Sequence, residues 1–247
     1  VAPERAGANA GQLAALVRDG TVLERETLVC AAIGEHDCGD PVAFRILAGY
    51  EGNGVTKARA MWHDYLAALV PPTLRLWTAH GIALEPHLQN TLVHVELGRP
   101  VGFVVRDLGG IRVHRPRLRR AGHTLPLAPD SFIVTDDEQT GLAKLTHALV
   151  HAHLSAVIGV LLDYGLPEAE AWAMVHARID ACLSAWAREP GLQDACAFDR
   201  ARLFAPSTPA KALLRMRIDD RSSVYSFVEL ANPIAAHGAG APGSDRQ

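Results

Sequence analysis

The residues able to do chemistry gather in one stretch, Gly81 to Gly110, GIALEPHLQNTLVHVELGRPVGFVVRDLGG. Glu85, His87, Gln89 and Asn90 crowd together there, and Arg106 and Asp107 follow at the end of a second apolar run. A carboxylate, an imidazole, two carboxamides and an Arg-Asp pair suit a polyanion held with a divalent cation. Carboxylate and amide oxygens bind hard cations, while a guanidinium binds anionic oxygens. The elements that must position these groups surround them. TLVHVEL and VGFVV read as strands joined by a tight turn at Gly98-Arg99-Pro100, a hairpin that returns Arg106 and Asp107 to the end from which the first strand left. Extended backbone sends alternate side chains to one face, so Glu85, His87 and Gln89 are expected to point the same way. Two readings of the residues stand at this point: a binding patch, or a polar loop that caps a strand.

Other candidates are weaker. His147, His151 and His153 (THALVHAH) place two imidazoles one helical turn apart, but no acidic or thiol ligand accompanies them, and a partly buried helix face is expected. GYEGNGVTK spaces Gly49 and Gly54 like a phosphate loop, yet valine follows the second glycine where lysine is required; a glycine-rich turn leading to a Thr56 N-cap is expected instead. No nucleophile-elbow or dinucleotide glycine motif occurs. Trp62, Trp77, Trp172 and Trp186 sit at helical positions and read as core. Cys30, Cys38, Cys182 and Cys196 form no C-x-x-C pair, which fits buried or free thiols in a reducing cytoplasm.

Composition narrows the class. Of 247 residues 49% are hydrophobic and the net charge is only -3, so a soluble globular protein is expected. The 24 basic residues are scattered apart from RPRLRR at 115–120, read as a solvated loop, so no nucleic-acid partner is expected. No apolar run reaches the ~18 residues that span a bilayer, so no membrane is expected either. The start, VAPERAGANAG, lacks the pattern of a signal peptide.

Helical spacing marks Gln12–Arg18, Glu24–Ile33, Pro41–Ala48, Ala143–Tyr164 and Pro167–Arg188. Lys57 to His80 reads as two helices, with Pro71 and Pro72 at the second N-terminus. KALLRMRI and VYSFVEL read as paired strands after a turn at Pro206–Pro209, and Asn232-Pro233 as the end of order. The expected architecture is α+β: a small, mostly antiparallel sheet packed with a helix-rich part. Residues 1–136 would form a sheet-bearing part with the hairpin 81–110, residues 137–205 a helical part, 206–233 returning strands and 234–247 a disordered tail. If the two strand pairs share one sheet, Lys211, Arg215 and Arg217 come near His87.

GIALEPHLQNTLV followed by RDLGG resembles the signature of the NRPS-independent siderophore synthetases, the aerobactin synthetase family. QLAALVRD, the segment with Tyr65, Pro71 and Leu74 to His80, KALLRMRI and Asn232-Pro233 also resemble that family, covering Gln12 to Pro233. The resemblance implies a hand-like fold of which this chain is the palm and thumb. It implies an ATP- and Mg²⁺-dependent ligase that activates citrate or a similar acid as an acyl-adenylate for an amine or alcohol, and a cytoplasmic homodimer. Carried onto these residues, Asp107 and Glu85 would hold the metal, with Glu85, Gln89 and Asn90 placing the nucleotide. His87 would contact the acid and stabilise charge, and Arg106, Lys211 and Arg215 would hold the anion. The family's N-terminal HPxHPxxK and S-x-R-T elements do not occur here, so a missing N-terminal half is expected and this chain alone should not complete adenylation. A non-catalytic citrate or siderophore module is the first alternative. A ferric-siderophore reductase is the second, and it would need a C-C-x10-C-x2-C cluster that is not present.

Overall fold

The computed structural model describes residues 20, 26–37, 40–125, 131–218 and 226–238. The expected helix at Gln12–Arg18, Cys38, and the start of VYSFVEL lie outside them. The longest element is a helix at Gly54–His80, which packs on the helix Glu168–Trp186 and on the hairpin. Asn53, not Thr56, caps it: the Asn53 side chain accepts from the Thr56 N–H at 3.0 Å and the Thr56 hydroxyl at 2.8 Å. Pro71 and Pro72 lie inside this helix and do not divide it. A proline in a helix interior costs roughly 3 kcal/mol. Burial of a large apolar side chain returns about 1.5–3 kcal/mol, and Leu69 and Val70 before the prolines share one core with Leu74 and Trp77 after them. Tertiary burial on both sides keeps one axis where local propensity predicts two.

The helix ends at Gly81, whose φ of 71° gives a left-handed cap. A Cβ here would sit 2.7 Å from the Arg117 Cβ, so the position also demands glycine for space. The chain then enters β4 (Ile82–Ala83), crosses a short 3-10 turn at Leu88–Asn90, and forms the hairpin β5 (Thr91–Glu96) and β6 (Arg99–Val105). The reversal falls at Leu97-Gly98, one or two residues earlier than the sequence suggests, with φ of 51° and 72°. Two successive positive φ values define the turn that matches strand twist in a hairpin. Thr91, Val93 and Val95 alternate inward.

Glu24–Ile33 is not one helix where described: Thr27–Val29 is a strand, β1, hydrogen-bonded to β5, and only Cys30–Ala32 turns into a short 3-10 helix. Its three apolar-capable side chains fit an edge that β5 leaves open, and pairing overrides the weak helical spacing. The sheets are small and mostly antiparallel: β1-β5-β6, the two-residue pair His36–Asp37 with Asp40–Pro41, β4 with Arg112–His114 (β7) and Val134–Thr135 (β8), and Ser207–Lys211 (β9) with Phe227–Ala231 (β10). Only β7–β8 is parallel among them. The fold is α+β as expected. The two strand pairs, however, belong to separate sheets. LLRMRI is a short helix, Leu213–Ile218, and Asn232 caps a further helix, Pro233–Ala236, whose Ile234 is buried.

RPRLRR is a helix, Arg115–Arg120, and no loop. Arg117 is almost fully buried; its Nη1 and Nη2 donate to the two carboxylate oxygens of Asp199, each at 2.8 Å, and its Nε to Glu138 at 2.6 Å. The second long helix runs from Glu138 to Leu162 and widens into a π-helical turn over His147–Leu154. By length and apolarity alone it could span a membrane, but it carries the fully buried Lys144 and gives Leu142, Leu145, Leu149, Leu154 and Ile158 to the core. That core is one cluster running from Cys30 to Ile234 through both the sheet-bearing and the helical parts.

Candidate active site

Glu85 stands where β4 has ended and the 3-10 turn has not begun. It is 6% exposed, and its Oε1 accepts from Lys211 Nζ at 2.5 Å and lies 2.9 Å from Lys144 Nζ. Burial pushes the Glu85 carboxyl upward. The hydrogen bonds and charges of Lys211 and Lys144 outweigh that and hold it below the usual glutamate range. Its other oxygen rests against Gly110, where a Cβ would approach to 1.5 Å, so the last glycine of RDLGG makes room for this carboxylate. Two ammonium groups thus meet on one largely buried carboxylate oxygen.

The backbone next to Glu85 is anchored from the π-helical turn. His153, fully buried, donates from Nδ1 to the Pro86 carbonyl at 2.6 Å, and the Tyr65 hydroxyl meets its Nε2 at 2.6 Å. A carbonyl only accepts, so the proton is on Nδ1 and the ring is neutral; burial lowers its pKa to about 4. The same turn presents His147, whose Nδ1 accepts from the Lys211 backbone N–H at 3.2 Å. Burial, then the Lys211 charge, lowers its pKa to about 4, so this ring is also neutral and carries its proton on Nε2. A π-turn inside an α-helix is a frequent mark of a functional site.

His87 is half-buried. Burial lowers its pKa, Glu85 and Asp107 oppose the shift, and Lys211 reinforces it, so the imidazole lies within reach of all three charges. The polar turn after it is braced at the backbone. The Thr91 hydroxyl and the Asn90 N–H both donate to the His87 carbonyl at 2.9 Å, and the Arg106 N–H to that of Asn90 at 2.8 Å. Arg106 Nε and Nη2 grip the Gln89 carbonyl at 3.2 and 2.9 Å. Asp107 takes a left-handed φ of 61°, and its Oδ1 accepts from the Gly109 N–H at 3.3 Å. That conformation is uncommon for a residue with a side chain, Asp being among the few that adopt it, and such outliers concentrate at binding sites.

The fold therefore gathers Glu85, His87 and Lys211, with Asp107 and Arg106 at the end of β6. Gln89 is exposed and Asn90 half-exposed on a 3-10 turn, not in the extended run expected from the sequence. Arg215 and Arg217 lie exposed on the helix Leu213–Ile218. Lys144 escaped the sequence reading, while His147 and His153, weighed there as a metal site and set aside as a partly buried helix face, lie against the Lys211 backbone and Pro86. One signal was present: a lysine inside the apolar run LAKLTHALV occupies a position that helical spacing assigns to the interior. Among the described residues no three His, Cys, Asp or Glu side chains are grouped as a metal site.

The architecture is shared with known proteins. The petrobactin biosynthesis protein AsbB from Bacillus anthracis superposes with a TM-score of 0.69 at 21% identity, over 87% of this chain and 36% of that one. The ATP-bound aerobactin synthetase IucA from Klebsiella pneumoniae does so with a TM-score of 0.68 at 19% identity, over 90% of this chain and 39% of the other. The fold is thus one found in siderophore synthetases. Residues 60–225 match the family model described as a ferric iron reductase FhuF-like transporter. Staphyloferrin A synthase of Staphylococcus aureus is 30% identical over 231 residues, 91% of this chain and 38% of that protein. D-ornithine–citrate ligase of the same organism is 26% identical over 190 residues, 72% of this chain and 29% of its own length. The chain belongs to the NRPS-independent siderophore synthetase family and corresponds to its C-terminal part, spanning little more than a third of these relatives at most.

Proposed function

We propose that this chain forms the acid-binding part of an ATP-dependent ligase of siderophore biosynthesis, acting on citrate or a similar polycarboxylate. One observation carries the reading: Lys144 and Lys211 converge on a single, largely buried oxygen of Glu85, with His87 and Asp107 in the same electrostatic neighbourhood. Ammonium groups held in place beside a neutral imidazole form charge-assisted hydrogen bonds with a carboxylate, and the acid substrate supplies one. His87, neutral at pH 7, donates a hydrogen bond to a second carboxylate of the acid, and Lys211 turns part of its ammonium toward the first. The named ligase relatives act on citrate, in keeping with this.

In the reaction, a carboxylate oxygen of the acid attacks the α-phosphorus of ATP and pyrophosphate leaves. An amine or alcohol then attacks the acyl carbon, loses a proton, and AMP leaves as the amide or ester forms. Gln89 and Asn90, on an exposed turn, have carboxamides suited to the nucleotide, and Arg106 fixes that turn by holding the Gln89 carbonyl. Mg²⁺ typically binds one or two carboxylates and completes its shell with phosphate and water oxygens. Asp107 fits such a contact, being exposed and set by the turn at the end of β6. Glu85 fits it less well, because both lysines already occupy its Oε1 and Gly110 closes on its Oε2. Bound Mg²⁺ would neutralise the triphosphate. Arg215 remains a candidate for longer-range attraction of the anion. A homodimer in the cytoplasm is part of the same proposal.

The reductase alternative finds less support. Cys30 and Cys196 are buried in the core, and burial raises the Cys30 thiol to about 12, whereas a cluster ligand must be a thiolate. Calorimetric titration with citrate tests the main reading. Lys211→Met should weaken citrate by at least about tenfold, the scale of one charge-assisted hydrogen bond, while Arg217→Met leaves it unchanged. Citrate that binds both variants equally would refute the assignment.

A further inference from the structure

The three charged side chains that meet at Glu85 Oε1 differ in how far each can move. Lys144 is enclosed: its side chain has no exposure, and it sits in the helix Glu138–Leu162, whose Leu142 and Leu145 belong to the core. Glu85 is enclosed on its other side, since its Oε2 lies so close to Gly110 that a Cβ there would approach to 1.5 Å. The Lys211 side chain keeps the most exposure of the three, 12% against 8% for Glu85. Its backbone, by contrast, is tied on both sides. The Lys211 N–H donates to His147 Nδ1 at 3.2 Å, and the Ala212 N–H donates to the Ser226 carbonyl at 2.9 Å. With the end of β9 fixed in this way, any movement of the ammonium lies in its flexible stem.

The second lysine makes such a movement affordable. A buried carboxylate that loses its one cation is strongly destabilised. Were Lys211 the single partner of Glu85, an acid could draw it away only by leaving that carboxylate unpaired. Lys144 stands 2.9 Å from the same oxygen and stays there when Lys211 turns. An ammonium has more than one N–H to donate, so the exchange passes through a shared arrangement, with one bond to Glu85 and one to the acid.

We propose that Glu85 holds Lys211 until a substrate carboxylate competes for it, and that Lys144 is a positioning residue, keeping Glu85 neutralised while Lys211 passes to the acid. The affinity for the acid is then lowered by the share of time that Lys211 spends on Glu85. This rests on the acid-binding reading of Lys211. Calorimetric titration of the chain with citrate tests it. Glu85→Gln removes the competitor and should tighten citrate several-fold, a gain that disappears when Lys211→Met is added. Lys144→Met should weaken citrate about tenfold while Glu85 is present, because Glu85 then claims Lys211 as its one charge-assisted partner. In the Glu85→Gln background the same substitution should change nothing, whereas a lysine that merely attracts the acid by its charge would cost the same in both. Melting curves establish that each variant is folded. Should Lys144→Met alone not fold, the double variant still decides, since it must bind citrate as tightly as Glu85→Gln. Citrate no tighter on Glu85→Gln, a gain that survives Lys211→Met, or a double variant weaker than Glu85→Gln would overturn this inference and leave the acid site standing. Citrate binding that ignores Lys211→Met would remove the reading beneath it.

Discussion

Two buried charge clusters lie on opposite ends of the same helix start, and they are built differently. Arg117 meets both oxygens of Asp199, and those oxygens also accept from the Trp77 indole N–H and the Thr78 hydroxyl at 2.8 Å; Glu138 takes the remaining Nε. Every strong polar group there is answered from within the protein, and the guanidinium also stacks on the Trp77 ring at 4.5 Å. Around Glu85 two lysines meet on one carboxylate oxygen, with the neutral His147 beside them and the exposed Asp107 acting on His87. A cluster that is satisfied by its own fold supports structure. The Glu85 cluster stands instead beside the exposed turn of Gln89 and Asp107, where the proposed acid would meet it.

The contrast can be broken by mutation. Asp199→Asn should have the largest effect on folding, on the order of 4–5 kcal/mol, because it removes the two-oxygen counter-charge of the buried Arg117 and leaves only Glu138 at its Nε. Differential scanning calorimetry would show a melting temperature lower by about 10 °C or more, and citrate should not restore it. Glu85→Gln should cost somewhat less, on the order of 3 kcal/mol, since two ammonium groups lose their counter-charge. Here, citrate should raise the melting temperature in part, because the anion replaces the missing charge. Citrate rescue of Asp199→Asn, or none for Glu85→Gln, would erase the distinction between the clusters.

Acid sharpens the comparison further. His147 and His153 have folded-state pKa values of about 4 against an ordinary 6.5, so between these limits the unfolded chain takes up protons that the folded chain refuses. Their contribution to stability is whole above pH 6.5 and falls as pH drops toward 4, by up to about 1.4 kcal/mol per pH unit for each ring. Glu85 acts in the same direction lower down: its stabilisation is present above its ordinary value of 4.5 and is lost as pH falls through its depressed folded value. His153→Gln should therefore flatten the fall in urea-unfolding stability between pH 6.5 and 4. Tyr65→Phe should have the smallest effect, about 1 kcal/mol, together with a few-fold loss of citrate affinity as His153, which braces the Pro86 carbonyl, loses the hydroxyl that orients it; unchanged affinity would make this hydrogen-bond chain purely structural.

Much of the candidate site was legible because its residues are local. Glu85, His87, Gln89, Asn90, Arg106 and Asp107 lie on one hairpin and its approach, and strand pairing alone returns the far end to the near one. Extended alternation failed at Gln89, where a 3-10 turn intervenes, and the two-helix reading failed at Pro71-Pro72, where packing overrides a local break. RPRLRR misled for a similar reason. A basic run looks solvated until a partner 82 residues away, Asp199, is known to receive it.

The order of residues alone specified the hairpin, its polar approach and the glycine that gives Glu85 its space, since these depend on turn chemistry and strand periodicity over a few tens of residues. Which cations complete the pocket was settled by tertiary structure. Lys144 and Lys211 come from a buried helix and a separate ribbon, and no local rule determines that both should end on one carboxylate oxygen. Long-range packing fixes that meeting, because only the folded core brings their elements together and withholds the water that would otherwise disperse their charge.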